Sequence, residues 1–533
     1  MNGYLIALVI FLAWLALVII AKKREWLEKN SMSLFGPIIM WRTKKGRDFI
    51  EKLASAERVW GVFGKASLWI CAGAMVTMMV LLLWQAVVII PQVEQAPSPA
   101  LIVGIPGINP VIPVGYGILG LAVAMVTHEF AHGIMTRRGN MEVKSLGLLF
   151  LVFPIGAFVE PDEKQMEVTT RSKRSKVFAA GPASNLILAM ITLSLFSGVM
   201  MSAVETVHDG ALVVGVVTGS PVEISGIPSY SVIESIDGES IESRGDLEDR
   251  VADPGGLMSV SYYFEGELRT ATEVVDGLVM SFVVDDYAAS AAGLEPGMVL
   301  VSIDDTPVVN FDALSAIMEG TTAGHVVNVT VMRFDDASNT FVVADDITQL
   351  CFSDKGEFYA EYYPDDNDPS FAGRGYLGAG FLMLGVDCRE PDHYASMLAN
   401  PFSGDKTIGD FSMSWLRLIA LPFLDLAPLG SPVTDLYQPS GGFDWIPDNA
   451  FWMLTNAIYW IFWLNLMLGL TNVLPAVPLD GGYLFRDGMD FLLTKVRRNS
   501  TKEERDTIVG SVTLFLALLV LFLILWMLIG PRF

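Results

Sequence analysis

MVTHEFAHGIM, residues 125–135, sets two histidines and a glutamate inside a run apolar enough to cross a lipid bilayer. Polar groups at membrane depth are costly, and those retained there mark function. On a helix, positions four apart share a face, so His128 and His132 point the same way and both can ligate one metal ion. Glu129 lies next to that face, where it can reach a water on the metal. This is the H-E-x-x-H pattern of zinc hydrolysis. Zinc suits imidazole and carboxylate ligands in tetrahedral geometry and lowers the pKa of water toward neutral. In a soluble chain the five-residue match carries little weight. Inside a membrane segment it carries more, because lipid penalises idle polar groups.

The rest of the chain agrees with a membrane setting. Its 533 residues are 52% hydrophobic, too apolar for one soluble domain and too long for a single core. A span needs roughly 20 apolar residues, and six segments qualify: 3–21, 67–90, and the runs near 114–136, 177–201, 450–474 and 508–529. The first has no basic region before it and is followed at once by KKRE, so it reads as a retained signal-anchor. Basic residues set orientation. Residues 22–66 carry eleven Lys+Arg and residues 91–113 none, and basic clusters recur at 137–176 and after Arg486. One alternation satisfies all six spans, with the basic loops cytosolic and both termini outside.

The charge is segregated. The net charge is −24, yet residues 204–449 hold 41 Asp+Glu against 9 Lys+Arg, so the remainder is net positive. The large acidic region then falls outside the membrane, and its sign argues against nucleic-acid binding. Cysteines are Cys71, Cys351 and Cys388, with no CxxC pair for a cysteine-rich zinc site; a disulfide between the last two is open on spacing alone.

Within the acidic region, SGIPSYSVIESIDGESI (225–241) aligns with AGLEPGMVLVSIDDTPV (292–308) at an offset of 67 residues. Each copy follows a β-rich run and precedes a helix-like stretch and another strand. The pattern resembles tandem PDZ domains, in which a peptide adds as a strand to an exposed edge. Residues 346–449 mix strand-like pieces with WLRLIALPFLDLAPL (415–429), which is short, broken by Pro and Asp, and expected at the interface or packed on the domain.

A catalytic zinc site needs a third protein ligand. His208, His325 and His393 lie in the outer region, on the wrong side of the membrane. Asp480, in TNVLPAVPLDGG (471–482), sits at the cytosolic end of the fifth span and so at the depth of His128 and His132; Asp490, Asp487 and Glu160 lie beyond the spans and are weaker candidates. HEFAH on one span, NVLPAVPLDGG on a later one and PDZ-like domains between them resemble the site-2 protease family of intramembrane zinc metalloproteases. GPASN (181–185) is similar to that family's GPxxN element. The resemblance implies His128, His132 and Asp480 as ligands of Zn2+ and Glu129 as general base. It also implies Asn472 near the substrate backbone, where its amide would hold a carbonyl or oxyanion; a capping or packing role for Asn472 stays open. By the same resemblance, VKSLGLLFLVFPIGAFVEP (143–161) stands where the family has a membrane-dipping β-hairpin beside the zinc, whose edge would pair with an unwound substrate; a simple interfacial loop stays open.

The expected fold is a polytopic α-helical membrane protein of about six transmembrane helices with an inserted extracytoplasmic α+β region containing two PDZ-like domains. Its expected parts are 1–113 (N-terminal helices and basic loop), 114–203 and 450–490 (two halves of a catalytic membrane core), 204–275 and 276–345 (PDZ-like domains), 346–449 (an outer or interfacial region) and 491–533 (a C-terminal segment and helix). By the resemblance, the function is regulated intramembrane proteolysis. Its partners are single-span membrane protein substrates, the lipid bilayer, and peptide termini at the PDZ-like domains. The protein would sit in the cell membrane as a multi-pass chain with its active site toward the cytosol. A catalytically inactive scaffold binding peptides through the PDZ-like pair is the main rival, although a scaffold has no need of Glu129. A zinc transporter is the second, although its polar groups would line a path across the bilayer and not cluster at one depth.

Overall fold

The apolar runs form long helices. In the computed structural model, which describes residues 3–43, 46–88, 98–101, 104–151, 153–347, 349–424, 426–497 and 500–529, a helix α1 covers Gly3–Lys23. Five later helices are long and apolar enough to cross a membrane: α2 (Glu57–Val88), α3 (Val114–Arg138), α4 (Arg171–Leu195, prolonged by a π turn and a 3-10 turn to Ala203), α6 (Asp448–Asn472) and α8 (Lys502–Ile529). Between them lie α5 (Ile408–Ala420) and α7 (Asp480–Val496). The 25 residues of α3 rise about 37 Å, more than the ~30 Å of a hydrocarbon core. Large apolar side chains on α2 and α8, among them Trp69, Trp84, Phe515 and Phe522, point outward, as lipid-facing surfaces do. These five account for five of the six expected spans among the described residues. The sixth, expected at 3–21, falls on the helix α1, part of whose side chains lie outside the described residues.

The chain divides into two compact units, residues 1–200, 405–428 and 453–533 in the first, and 201–404 and 429–452 in the second. In the first, four strands form an antiparallel sheet in chain order: β1 (Met32–Phe35), β2 (Ile38–Thr43), β3 (Val143–Leu151) and β4 (Phe153–Pro161). β3 and β4 are the expected hairpin; β1 and β2 come from the basic loop between the first two expected spans. Phe158 lies across from Gly147, where a Cβ would meet its ring at 2.3 Å, so the glycine makes room for the aromatic. Ile50, Ile134, Val143, Leu146 and Val159 form a small buried core that holds this sheet against α3. α5 takes in the first part of 415–429, the stretch expected at the interface or packed on the domain. Its Leu418 and Ile419 carbonyls accept hydrogen bonds from Tyr459 and Trp463 of α6.

The second unit carries two sheets of one plan. The first runs β8-β7-β6-β5-β14 and the second β12-β11-β10-β9-β13. The strands of the first are β5 (Ala211–Val216), β6 (Val232–Ile236), β7 (Leu257–Phe264) and β8 (Glu267–Val275). Those of the second are β9 (Leu278–Val283), β10 (Val299–Ile303), β11 (Val326–Asp335) and β12 (Thr340–Val343). β5 and β6 recur as β9 and β10 at the 67-residue offset seen in the sequence. The last strand of each sheet comes from elsewhere. β13 (Ala379–Met383) and β14 (Val386–Arg389) are joined by a tight turn with positive φ at Leu384 and Gly385. Neither sheet therefore ends at residue 275 or 345, the boundaries drawn from the repeat. One contiguous apolar core underlies both. Cys351 and Cys388 are unpaired, the first exposed and the second buried.

Candidate metal centre

α3 presents His128 and His132 on one face, both at least nine-tenths buried. Asp480 is the first residue of α7, reached through a turn that follows α6. The turn is clamped: a Cβ on Gly481 would lie 2.2 Å from the Val473 carbonyl oxygen, and one on Gly482 would lie 2.5 Å from the Val477 nitrogen. Only glycine permits so close a backbone approach. The turn brings Asp480 Oδ2 to 3.0 Å from His128 Nε2 and 3.2 Å from His132 Nε2, while the two imidazole nitrogens are 3.0 Å apart. All three ligand atoms lie within 4.8 Å of one another, near enough to hold one ion, and no other such group of three occurs among the described residues.

Several features fit a metal there. Two imidazoles and one carboxylate are a catalytic zinc donor set with one position left open. His132 Nδ1–H donates to the Val177 carbonyl at 2.8 Å, which leaves the Nε2 lone pair free to ligate. The Asn185 side-chain amide lies 3.3 Å from His128 Nδ1, and its Oδ1, as placed, is buried without a partner. Exchanging the nearly isosteric amide oxygen and nitrogen gives His128 Nδ1–H an acceptor and again leaves Nε2 free. Finally, a Cβ on Gly181 of α4 would lie 2.4 Å from His132 Nε2 and 2.6 Å from His128 Nε2. The hydrogen there keeps the convergence point open.

Glu129, beside His128, turns toward the sheet, where its Oε2 accepts the Val159 N–H of β4 at 2.8 Å. Asn472, in the last turn of α6, is not gathered into the cluster; its Nδ2 donates to the Leu468 carbonyl one turn back, at 3.0 Å. The weaker third-ligand candidates are engaged elsewhere. Glu160 accepts from Ser145, Asp487 pairs with Arg174, and Asp490 pairs with Arg171 and Arg505. His208 pairs with Glu234 and stacks on Tyr263; it, His325 and His393 all belong to the second unit. Three contributors were not assigned from sequence. Gly181 and Asn185 were noted only as parts of GPASN, and their i, i+4 spacing was the available signal. Val177 acts through its carbonyl, which no side-chain pattern discloses.

A sequence profile of peptidase family M50 matches residues 116–520, about three quarters of the chain. An uncharacterized protein of Methanocaldococcus jannaschii is 31% identical over 159 residues, which are 29% of this chain and 42% of that protein. The chain thus spans less than half of that relative's length. With HEFAH, the NVLPAVPLDGG segment and the buried cluster they form, the chain belongs to peptidase family M50, the site-2 protease family of metallopeptidases.

Proposed function

We propose that this family member is an intramembrane zinc endopeptidase that cleaves single-span membrane proteins within or near their transmembrane segment. The observation that carries the reading is the convergence of His128 and His132 with Asp480, 348 residues beyond His132, on one small volume. Zinc held by these three residues supplies Lewis acidity, which activates water near neutral pH and polarises a carbonyl. The Val177 carbonyl and the Asn185 amide orient the two imidazoles.

Glu129 acts as the general base, taking the proton of the attacking water and delivering it to the leaving amine. A substrate helix hides its peptide bonds in internal hydrogen bonds and must unwind before attack. β4 is the last strand of its sheet, so its outer edge is available to an unwound segment. A substrate carbonyl that accepts the Val159 N–H takes the place now held by Glu129 and releases that carboxylate to the water. Asn472, turned from Leu468, offers its amide to the substrate carbonyl or to the oxyanion.

The two repeated sheets serve as PDZ-like modules on the outer side of the cell membrane, filtering substrates by size or reading the end left by a first cleavage. The basic loops support this orientation, with the metal centre toward the cytosol. Regulated intramembrane proteolysis is the process such an arrangement serves. The scaffold alternative draws on the same edges, since β13 and β14 are each the last strand of a sheet. Metal content and cleavage of a single-span test substrate, wild type beside Asp480→Ala, separate the two. About one zinc per chain and cleavage, both lost in the variant, support the enzyme. Peptide binding without metal or cleavage in the wild type supports the scaffold.

A further inference from the structure

α4 and α7 meet along a ladder of four rungs. The first is the centre itself, where Gly181 of α4 faces the point reached by Asp480 of α7. In the second, Phe178 stacks on Tyr483 with ring centroids 4.9 Å apart. In the third, Arg174 Nε lies 3.1 and 3.0 Å from the two carboxylate oxygens of Asp487, and a terminal guanidinium nitrogen donates to the same carboxylate. In the fourth, Arg171 Nε lies 3.1 Å from Asp490. From rung to rung the position falls on α4 by three, four and three residues and rises on α7 by the same steps. These are the steps of one helix face, so the helices run antiparallel in a single register.

We propose that Arg174 and Asp487 are positioning residues for the metal centre: their ion pair sets the register of α7 on α4 and so holds Asp480 within reach of His128 and His132. The inference rests on the metal-centre reading above. The Asp480 carboxylate meets only the two Nε2 atoms that would share the metal with it, and with both imidazoles protonated on Nδ1 neither donates to it, so its place before metal binds is set by the helix it begins. The aromatic rung is a stack of two rings and lacks the directional fork of an ion pair. The Arg171–Asp490 rung is the more exposed of the two ion pairs, 35% and 25% against 26% and 5%, which weakens it, and Asp490 is shared with Arg505 of α8. Asp487, by contrast, is 5% exposed, is gripped by the guanidinium fork and accepts a further hydrogen bond from Ser175 at 3.1 Å. A forked pair is geometrically selective, and registry is the best attested use of a buried one. Sliding α7 by one turn, about 5.4 Å, would strand the Asp487 carboxylate and carry Asp480 away from both imidazoles.

The test is Co2+ binding to the full-length protein in detergent, followed by visible absorption and chelator competition, with thermal melting as the check on folding. The pair is replaced together (Arg174→Met with Asp487→Leu), because removing a buried pair as a unit is often neutral for stability. The expected result is a folded protein whose Co2+ affinity falls about 10–100-fold, the range for residues that orient metal ligands, with altered absorption bands. Arg171→Gln leaves both unchanged. A folded double variant with wild-type affinity and bands overturns the proposal, as does an equal loss in Arg171→Gln. Should the double variant not fold, Arg174→Lys keeps the charge without the fork, and unchanged affinity there overturns the proposal in the same way. A wild type that binds no Co2+ fails the metal-centre reading instead, which is a distinct outcome.

Discussion

The carboxylate of Glu129 accepts the backbone N–H of Val159 across 2.8 Å, tying the HEFAH segment to the edge strand of the four-stranded sheet. The bond joins the proposed base to the surface on which substrate is proposed to pair. Glu129→Gln preserves an oxygen for the Val159 N–H but removes the basic carboxylate. Cleavage should fall by about 10²–10⁴-fold, the usual contribution of a general base. Metal content and melting temperature should stay at wild-type values. Single-turnover cleavage of a single-span substrate beside metal analysis checks this, and loss of the metal along with activity would assign Glu129 a structural duty.

Gly181 sets helix propensity against the space the two imidazoles need. Alanine in place of a mid-helix glycine favours the helix by about 1 kcal/mol. At this position, however, its Cβ would lie 2.4 Å from His132 Nε2 and 2.6 Å from His128 Nε2. Gly181→Ala should bind zinc at least about tenfold more weakly, while its metal-free melting temperature falls less than that loss implies, because the helix gain offsets part of the cost of shifting two buried imidazoles. Melting curves with chelator and with added zinc read both quantities. Wild-type zinc affinity would mean that the histidines reorient away from α4 to bind.

Much of this architecture is legible in the sequence because its signals are local. The span expected near 114–136 is α3, Val114–Arg138, and the His128/His132 pair follows from helical spacing. Asp480 was singled out by depth and motif, and the 67-residue repeat appears as strands β5 and β6 recurring as β9 and β10. What was not legible depends on partners distant in the chain. β1 and β2 lie in a loop whose eleven basic residues dominate its reading; they pair with each other, and β2 joins the sheet through β3, about a hundred residues further on. β13 and β14 complete sheets begun more than a hundred residues earlier. Asp487 looked like a surface carboxylate until α4 placed Arg174 against it.

Cys351 and Cys388 should react very differently. Cys388 is buried on β14, and that burial pushes its thiol pKa up from 9.0 to about 12. Cys351 is exposed. Alkylation of native protein near pH 8 without reductant should label Cys351 and spare Cys388, with both labelled after unfolding; protection of both until reduction would mean a disulfide. The raised pKa also fixes a sign. Below about pH 9 the thiol is protonated in both states and its contribution is intact; between 9 and 12 the unfolded chain ionises first, so stability falls as pH rises.

The His128–Asn185 contact decides how the first imidazole is held. Asn185 is fully buried, and its amide lies 3.3 Å from His128 Nδ1 while the other end has no partner as placed. If the amide oxygen faces the ring, Nδ1 carries the proton and Nε2 is the ligand. If the nitrogen faces it, Nδ1 is the acceptor and a neutral ring carries its proton on Nε2, where it cannot bind metal. Metal binding therefore requires the oxygen. Asn185→Leu, similar in size and without an acceptor, should cost about 10–100-fold in zinc affinity, whereas Asn185→Asp, which keeps an acceptor at the same reach, should retain most of it. Titration of metal-depleted protein with zinc against a competing chelator gives both numbers. The opposite ranking, with aspartate weaker than leucine, would show that the amide donates to His128, and the imidazole would then need another route to the ligating tautomer.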